Sequence, residues 1–172
     1  MASLKKNASD IIHKLDDFDN DNEEIILIAL KSNMPDYKMA YVLNRDLGLD
    51  FKKVIPEISL TENGTAFLRS FHFNDFKNHL SWRLFENKTN HSEDNAPNDF
   101  SLFNDADEAF LAINYLIPEW KTIDFFILIE NVDDLFDIDV LLEKLQKIKN
   151  ISTYFTIDMT SLSPKSQKNL IF

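Results

Sequence analysis

Cysteine is missing from this chain of 172 residues, and glycine occurs only twice, at Gly48 and Gly64. Without cysteine, the protein can form no disulfide bond, thiol nucleophile or thiolate metal site. The phosphate-binding loops of P-loop and dinucleotide-binding proteins need several closely spaced glycines, so both classes are excluded. Long hydrophobic runs are also lacking, because unbroken apolar runs such as residues 125–129 are far too short to span a bilayer.

The length of the chain indicates one domain, and we predict a single globular domain over residues 1–172. A chain of this length buries about 70% of its unfolded surface, so its core needs no disulfide or metal. Residues 1–22 contain neither the apolar segment nor the cleavage site of a signal peptide. Because the lack of cysteine also suits a reducing compartment, we expect a cytoplasmic protein with no membrane partner.

The formal net charge is −11, but the acidic residues are unevenly distributed. Three segments, residues 16–24, 93–108 and 130–139, hold 17 of the 29 acids and no lysine or arginine. The rest of the chain has 12 acids against 18 bases, so it is mildly basic. The overall negative charge disfavours non-specific binding of nucleic acid, although a basic face keeps that function as an alternative.

Residues 117–130 predict the central strand of the fold. Pro118 fixes its own backbone at the entry to the strand, and the strand proper is expected from Thr122. One face would carry Ile123, Phe125, Ile127 and Ile129, and the other Asp124, Phe126, Leu128 and Glu130. Because both faces are largely apolar, we predict a strand that is covered on both sides.

Two carboxylates, Glu119 and Asp124, lie at the start of this strand and are candidate functional residues. A buried carboxylate without a partner costs much free energy, so Asp124 needs backbone amides or an arginine at the rim of the sheet. Alternatively, the two carboxylates form a site at the mouth of the sheet, where acid–base chemistry would use them. The sequence leaves both interpretations open, because acid–base pairs have no fixed spacing.

A helix is predicted between Asn33 and Gly48. Asn33 would cap its N-terminus, and Gly48 would end it in the left-handed conformation. Four residues on this helix are further candidates for a binding site, namely Tyr37, Tyr41, Asn44 and Arg45. The alternative is that they are ordinary interfacial tyrosines and surface polar residues.

The sequence also resembles a known family at three places. Ile117-Pro118-Glu119, followed after three residues by Ile123-Asp124-Phe125, is similar to the signature of the IPExxxVDY family, with Ile and Phe in place of Val and Tyr. Residues 36–44 and 169–172 resemble the same family, so the resemblance covers most of the chain. It implies a cytoplasmic protein from bacteria of the Bacteroidetes group, but it carries no established activity, cofactor or partner.

The remaining patterns predict alternating helices and strands. An amphipathic helix is expected over residues 4–15, with an apolar stripe that either docks on the domain or binds a partner. The other predicted elements are a strand at 24–30, hairpins through 58–67 and 67–85, a mobile acidic loop at about 87–104, a short helix near 105–116, a helix over 138–149, a strand over 152–158 and a final helix from Ser163. This order predicts an α+β fold, a mostly antiparallel sheet with helices packed on one face, resembling a ferredoxin-like plait with N- and C-terminal additions.

No catalytic motif stands out, so the function remains an expectation. We expect a non-enzymatic protein-binding or accessory domain, with another protein as partner and without a cofactor or metal. His72 and His79 flank a predicted turn, but no third ligand is fixed by spacing. The alternatives are a small enzyme or ligand-binding protein that uses Glu119 and Asp124, and a protein that binds nucleic acid through a basic face.

Overall fold

The computed structural model describes residues 24–55, 57–59, 67–88 and 114–170. Its strands and helices are, in chain order, β1 (Glu24–Lys31), α1 (Asp36–Leu47), β2 (Lys52–Lys53), β3 (Ile58–Ser59), β4 (Phe67–Leu68), β5 (Ser70–Asp75), β6 (Leu80–Glu86), β7 (Phe125–Val132), α2 (Ile138–Gln146), β8 (Thr153–Ile157) and α3 (Pro164–Leu170). The predicted helix at 4–15 and nearly all of the predicted loop and helix between 87 and 116 lie outside the described residues.

Six strands form one antiparallel sheet in the order β2-β5-β6-β7-β1-β8. A ferredoxin-like plait is formed by four of these strands and two helices, which follow one another in the order β1-α1-β6-β7-α2-β8. The strands β5 and β2 extend the sheet beyond β6, and β3 pairs with β4 in a separate two-stranded antiparallel sheet. The predicted α+β class with an antiparallel sheet is therefore confirmed.

The predicted central strand is β7, which lies between β6 and β1. Phe125, Ile127 and Ile129 face one hydrophobic core, whereas Phe126 and Leu128 face the other. All five side chains are buried, as expected for a strand that is covered on both faces. Each fully buried side chain of this size contributes about 1.5–3 kcal/mol, so this strand is a major source of stability.

The helices divide between the two faces of the sheet. The longer helices α1 and α2 contact each other and cover one face, mainly through Met39, Leu43, Leu141 and Leu145. The short helix α3 lies on the opposite face, where Leu170 packs in the second core. The predicted layer of helices on one face thus holds for α1 and α2, and α3 adds cover to the other face.

Local sequence explains three of the helix ends. Gly48 ends α1 with φ 75° and donates its N–H to a carbonyl of the last turn. Asp137 caps α2 by accepting the N–H of Val140 at 3.1 Å, and Ser163 accepts the N–H of Ser166 at 3.3 Å at the start of α3. The predicted cap Asn33 was wrong, because Pro35 occupies the N-cap position of α1 and no side chain caps the helix.

The end of β7 contains a bulge. The register against β1 changes from Ile26 opposite Ile129 to Glu24 opposite Val132, so β7 has one extra residue there. Asn131 adopts the left-handed conformation at φ 61°, which asparagine tolerates better than most residues. The bulge twists the end of the strand just before the loop that leads to α2.

Within the described part of the chain, no helix has the length and apolar character needed to cross a membrane.

Candidate functional site

Residues 117–124, called the connector below, lead into β7 and include both candidate carboxylates. Pro118 begins a short 3-10 helix, Pro118–Trp120, rather than the strand itself. The strand begins at Phe125, later than the predicted start near Thr122. Ile123 therefore precedes the strand, and it packs in the second core instead of sharing a face with Phe125 as predicted.

Asn87 holds the connector in place from the end of β6. Its buried side-chain amide donates to the carbonyls of Trp120 at 2.9 Å and Ile123 at 3.0 Å, and its carbonyl oxygen accepts the N–H of Ile117 at 3.0 Å. Its backbone N–H also donates to the carbonyl of Asp124 at 2.8 Å. The predicted mobile loop at about 87–104 was therefore wrong at Asn87, which is part of the packed fold, and residues 89–104 of that prediction lie outside the described residues.

Glu119 forms an external cap for α3. One carboxylate oxygen accepts the backbone N–H of Ser163 at 3.1 Å, and the other accepts the hydroxyl of Ser166 at 2.6 Å. Partial burial raises the pKa of Glu119, but these hydrogen bonds outweigh it and lower the pKa from an ordinary 4.5 to about 2. The carboxylate is thus ionised at neutral pH and joins the connector to the C-terminal helix.

Asp124 lies where β1 and the connector meet. Its carboxylate accepts the N–H of Ser32 at 3.0 Å and lies 3.9 Å from the ammonium of Lys31 and 3.7 Å from that of Lys88. The expected backbone amide partner is present, and lysines take the place of the expected arginine. Asp124 also lines a depression of about 260 Å³. Glu119 and Asp124 therefore bind different partners, and their hydrogen bonds do not bring them into one site.

The four candidates on α1 do not share one role. Asn44 bonds the loop after the helix, because its amide donates to the carbonyl of Phe51 at 3.1 Å and accepts its N–H at 2.8 Å. Arg45 forms two hydrogen bonds to the neighbouring Asp46, at 2.6 and 2.8 Å. Tyr37 and Tyr41 are largely exposed. Asn44 thus stabilises the fold, while the tyrosines stay available on the outer face of the helix.

A larger concave site lies at one end of the sheet, where four segments meet. It is a groove of about 560 Å³ between the end of α1, the turn of the β5–β6 hairpin, the loop after β7 and the first turn of α2. Its apolar lining includes Leu47, Leu80, Trp82, Phe136, Val140 and Leu141. We call this site the groove and consider it the best candidate for a functional site, because it combines concavity with exposed apolar side chains.

The floor of the groove contains a tryptophan with an unused donor. The rings of Trp82 and Phe136 pack edge to face, with centroids 6.0 Å apart. Trp82 is buried, and its indole N–H has no hydrogen-bond partner among the described residues. An unsatisfied buried donor costs about 1–3 kcal/mol, so the floor would gain from an acceptor that reached it.

The rim of the groove is built by three aspartates that shape the surrounding loops. Asp75 accepts the N–H groups of Lys77 and Asn78 in the hairpin turn, at 3.1 and 3.2 Å. Asp133 accepts the N–H of Leu135 at 3.0 Å, and Asp137 caps α2. Since aspartates of this kind favour turns and caps, they hold the rim in shape while presenting negative charge.

The loops of the rim leave two large apolar side chains in water. Leu135 is 90% exposed in the loop after β7, and Phe76 is 83% exposed in the hairpin turn. Sequence analysis missed them, because each lies in a short segment that predicts a turn. The available signal was an apolar residue placed next to aspartates in a turn, where folding alone gives no reason for it.

In the described part of the chain, no group of three or more potential metal ligands occurs.

Comparison of the chain with models of protein families, with curated proteins and with solved structures gives no match. Membership of the IPExxxVDY family therefore stays a prediction from the signature at residues 117–125.

Proposed function

We propose that this protein is a non-enzymatic protein-binding or accessory domain, whose groove receives an apolar helical segment of a partner protein. One observation carries the proposal: Leu135, which lines the groove, is 90% exposed, and Phe76 is 83% exposed in the hairpin turn between the lining residues Asp75 and Lys77. Contiguous apolar surface in water is typical of sites that another macromolecule covers. The resemblance to the IPExxxVDY family and the lack of cysteine support a bacterial, cytoplasmic setting for this function.

The size of the groove alone would also suit a small molecule, because such sites have volumes of about 300–1,000 Å³. The exposed side chains favour a protein instead. A small molecule enclosed by the groove would leave Phe76 in water, because Phe76 lies outside the lining. A helix laid along the groove and across the hairpin turn could cover both Leu135 and Phe76. Helices that bind in this way present apolar residues at i, i+3, i+4 and i+7.

The charges around the groove indicate what should flank that apolar stripe. Asp75, Asp133 and Asp137 line the groove together with the bases Lys77 and Lys144. The acids are in excess, and the acidic segment 130–139 extends the negative surface beyond the lining. A partner helix with lysine or arginine beside its apolar stripe would therefore associate faster and more selectively than an acidic one.

A labelled model peptide tests this proposal. We expect an amphipathic peptide of leucine and lysine at helical spacing to bind the protein, as measured by fluorescence anisotropy, and the leucine–glutamate version to bind much more weakly. Leu135→Ser removes an apolar contact without changing charge, and we expect it to weaken binding by about tenfold, which corresponds to about 1.4 kcal/mol. Binding should also weaken as salt increases, because the rim charges are screened.

The matched control is Ile55→Ser. Ile55 is 82% exposed, close to the exposure of Leu135, but it lies in the loop after β2 and does not line the groove. We expect this variant to bind the peptide as the unmodified protein does. Equal losses in both variants, or no loss in Leu135→Ser, would contradict the assignment of the groove.

The alternative function, a small enzyme or ligand-binding protein that uses a carboxylate, is supported by one observation. Asp124 lines a depression of about 260 Å³ together with Lys88 and Asn33. Glu119 has no part in that depression, because its carboxylate caps α3. We propose this function in second place. It is tested by a screen of small polar ligands, in which the increase in Tm that each ligand causes is measured for the unmodified protein and for Asp124→Asn. A set of ligands that stabilises both proteins equally would count against the site.

A further inference from the structure

The N-terminal segment of the chain enters the sheet next to the groove. Residues 1–23 precede β1, whose first residue, Glu24, pairs with Val132 at the end of β7. The next residue along β7 is Asp133, which lines the groove. The first residue of β1 therefore lies within about one strand spacing of the rim.

The composition of this segment complements the groove. Residues 4–15 place five apolar residues on one face of a helix, Leu4, Ala8, Ile11, Ile12 and Leu15. At 100° per residue, Lys5 and Lys14 lie on opposite sides of that stripe. An apolar stripe flanked by bases is the pattern that the apolar lining and the aspartates of the groove would bind.

The length of the connection permits this contact. Eight residues, 16–23, separate the stripe from β1, and they reach at most about 26–29 Å when extended. A helix over residues 4–15 is about 18 Å long. These eight residues contain five acids, so the aspartates of the rim would repel them and would favour the basic stripe instead.

We infer that residues 4–15 bind in the groove of their own chain as an amphipathic helix and compete there with a partner protein. This inference rests on the proposed function of the groove, because it names the segment that regulates the same site. A tethered segment has an effective concentration in the millimolar range, so even weak binding would keep the groove largely covered. A partner would then bind only after displacing the segment, and its apparent affinity would fall by the fraction covered.

A spin label on the full-length chain tests the inference. Because the chain has no cysteine, His13→Cys introduces a single thiol on the side of the predicted helix away from the stripe. We expect a nitroxide at this position to broaden the amide signals of Leu135, Val140 and their neighbours, and to leave the signals of β8 sharp. The double substitution Ile11→Ser with Ile12→Ser should abolish the broadening, whereas the control Asn7→Ser should keep it.

Three results would overturn the inference. The first is an absence of broadening at the groove, and the second is equal broadening in the double variant. The third is broadening of an isotope-labelled chain by spin-labelled copies mixed with it, since the segment would then bind a second copy and not its own chain.

Peptide binding separates this inference from the proposed function. We expect the leucine–lysine peptide to bind the Ile11→Ser, Ile12→Ser variant about tenfold more tightly than the unmodified chain, because its groove is free. Equal, tight binding to both would overturn the inference and leave the proposed function intact. Failure of the peptide to bind either chain would overturn the proposed function, whatever the spin label shows about the segment.

Discussion

Substitution of Asn87 by alanine should destabilise the protein more than a typical polar substitution. The side chain of Asn87 is fully buried and makes three hydrogen bonds to the backbone of residues 117–123. Asn87→Ala removes all three and leaves the N–H of Ile117 without an acceptor in a buried position. The affected residues lead into β7, so the loss concerns the segment that positions the central strand.

The expected magnitude follows from these contacts. A hydrogen bond contributes about 1 kcal/mol net, and an orphaned buried donor costs about 1–3 kcal/mol, so we expect the free energy of unfolding to fall by about 3–5 kcal/mol. For a domain of this size, 1 kcal/mol corresponds to about 2–4 °C, which gives a decrease in Tm of roughly 10 °C. Domains of this kind are stable by about 5–15 kcal/mol in total, so the variant should still fold at low temperature.

Urea denaturation followed by circular dichroism measures this change, with Asn74→Ala as the matched control. Asn74 is exposed on β5, and its substitution should change the free energy of unfolding by at most about 0.5 kcal/mol. Asn87→Asp gives a second check. The new carboxylate would face the carbonyl oxygens of Trp120 and Ile123, so the ionised form would destabilise the protein, whereas the protonated form could donate one hydrogen bond. The loss should therefore shrink as pH falls through the raised pKa of that carboxyl. A decrease below 1 kcal/mol in Asn87→Ala would refute the role assigned to this side chain.

Three further substitutions test other contacts of the fold. Glu119→Gln should lower the free energy of unfolding by about 1 kcal/mol at neutral pH, as the loss of a helix cap does. Because the pKa of Glu119 in the folded protein is about 2 and its ordinary value is 4.5, this stabilisation is present above pH 4.5 and is lost as the pH falls towards 2. Denaturation experiments between pH 7 and pH 2 would show this loss. Asp124→Asn should cost about 1 kcal/mol or less at low salt and nothing measurable at high salt, because half-exposed lysines contribute little and the N–H of Ser32 keeps an acceptor. Gly48→Ala should lower the free energy of unfolding by about 1 kcal/mol through its φ of 75° alone, because nothing lies within 4 Å of an added Cβ. Gly48→Asn should lower it less, since asparagine tolerates this backbone conformation better. Equal losses for the two variants in thermal denaturation would contradict this cause.

Sequence analysis succeeded where one local pattern determines the structure. The short apolar run at 125–129, which is rich in β-branched and aromatic residues and follows Pro118, predicts a strand covered on both faces, and its side chains divide between the two cores as expected. Gly48 and Asp137 mark helix ends through their own backbone and side-chain preferences. In these cases the information lies within a few residues, so the pattern and the structure agree.

Sequence analysis failed where a role depends on residues that are distant in the chain. Asn87 follows an ordinary strand and precedes a polar stretch, so its sequence surroundings predict a loop. Its partners lie about 30 residues further on, beyond residues 89–113. The strand β2 consists of two lysines, which have little strand propensity, and only pairing with β5 places them in the sheet.

The groove could not be predicted for the same reason, because it is assembled from four segments that each have an ordinary explanation. The end of α1 is a helix terminus, residues 75–79 form a hairpin turn, residues 133–137 form an acidic loop, and Val140 lies on the outer part of α2. Only the strand order brings these segments to one end of the sheet. The exposed Leu135 and Phe76 then become neighbours of the same concave surface, which no spacing rule along the chain would suggest.

The residues of the signature and the residues of the groove have different structural roles, and this difference indicates where to look for the function. The residues that resemble the IPExxxVDY signature have mutually dependent structural roles, because Ile117 bonds to Asn87, Glu119 caps α3 and Asp124 binds the end of β1. These contacts belong to the fold, and they give no mechanism. The groove lies apart from these residues, and two side chains of its lining, Leu135 and Val140, are exposed. Single exposed apolar side chains are common on protein surfaces, so the physical argument for function rests on the position of Leu135 and Val140 at a concave surface with an apolar lining.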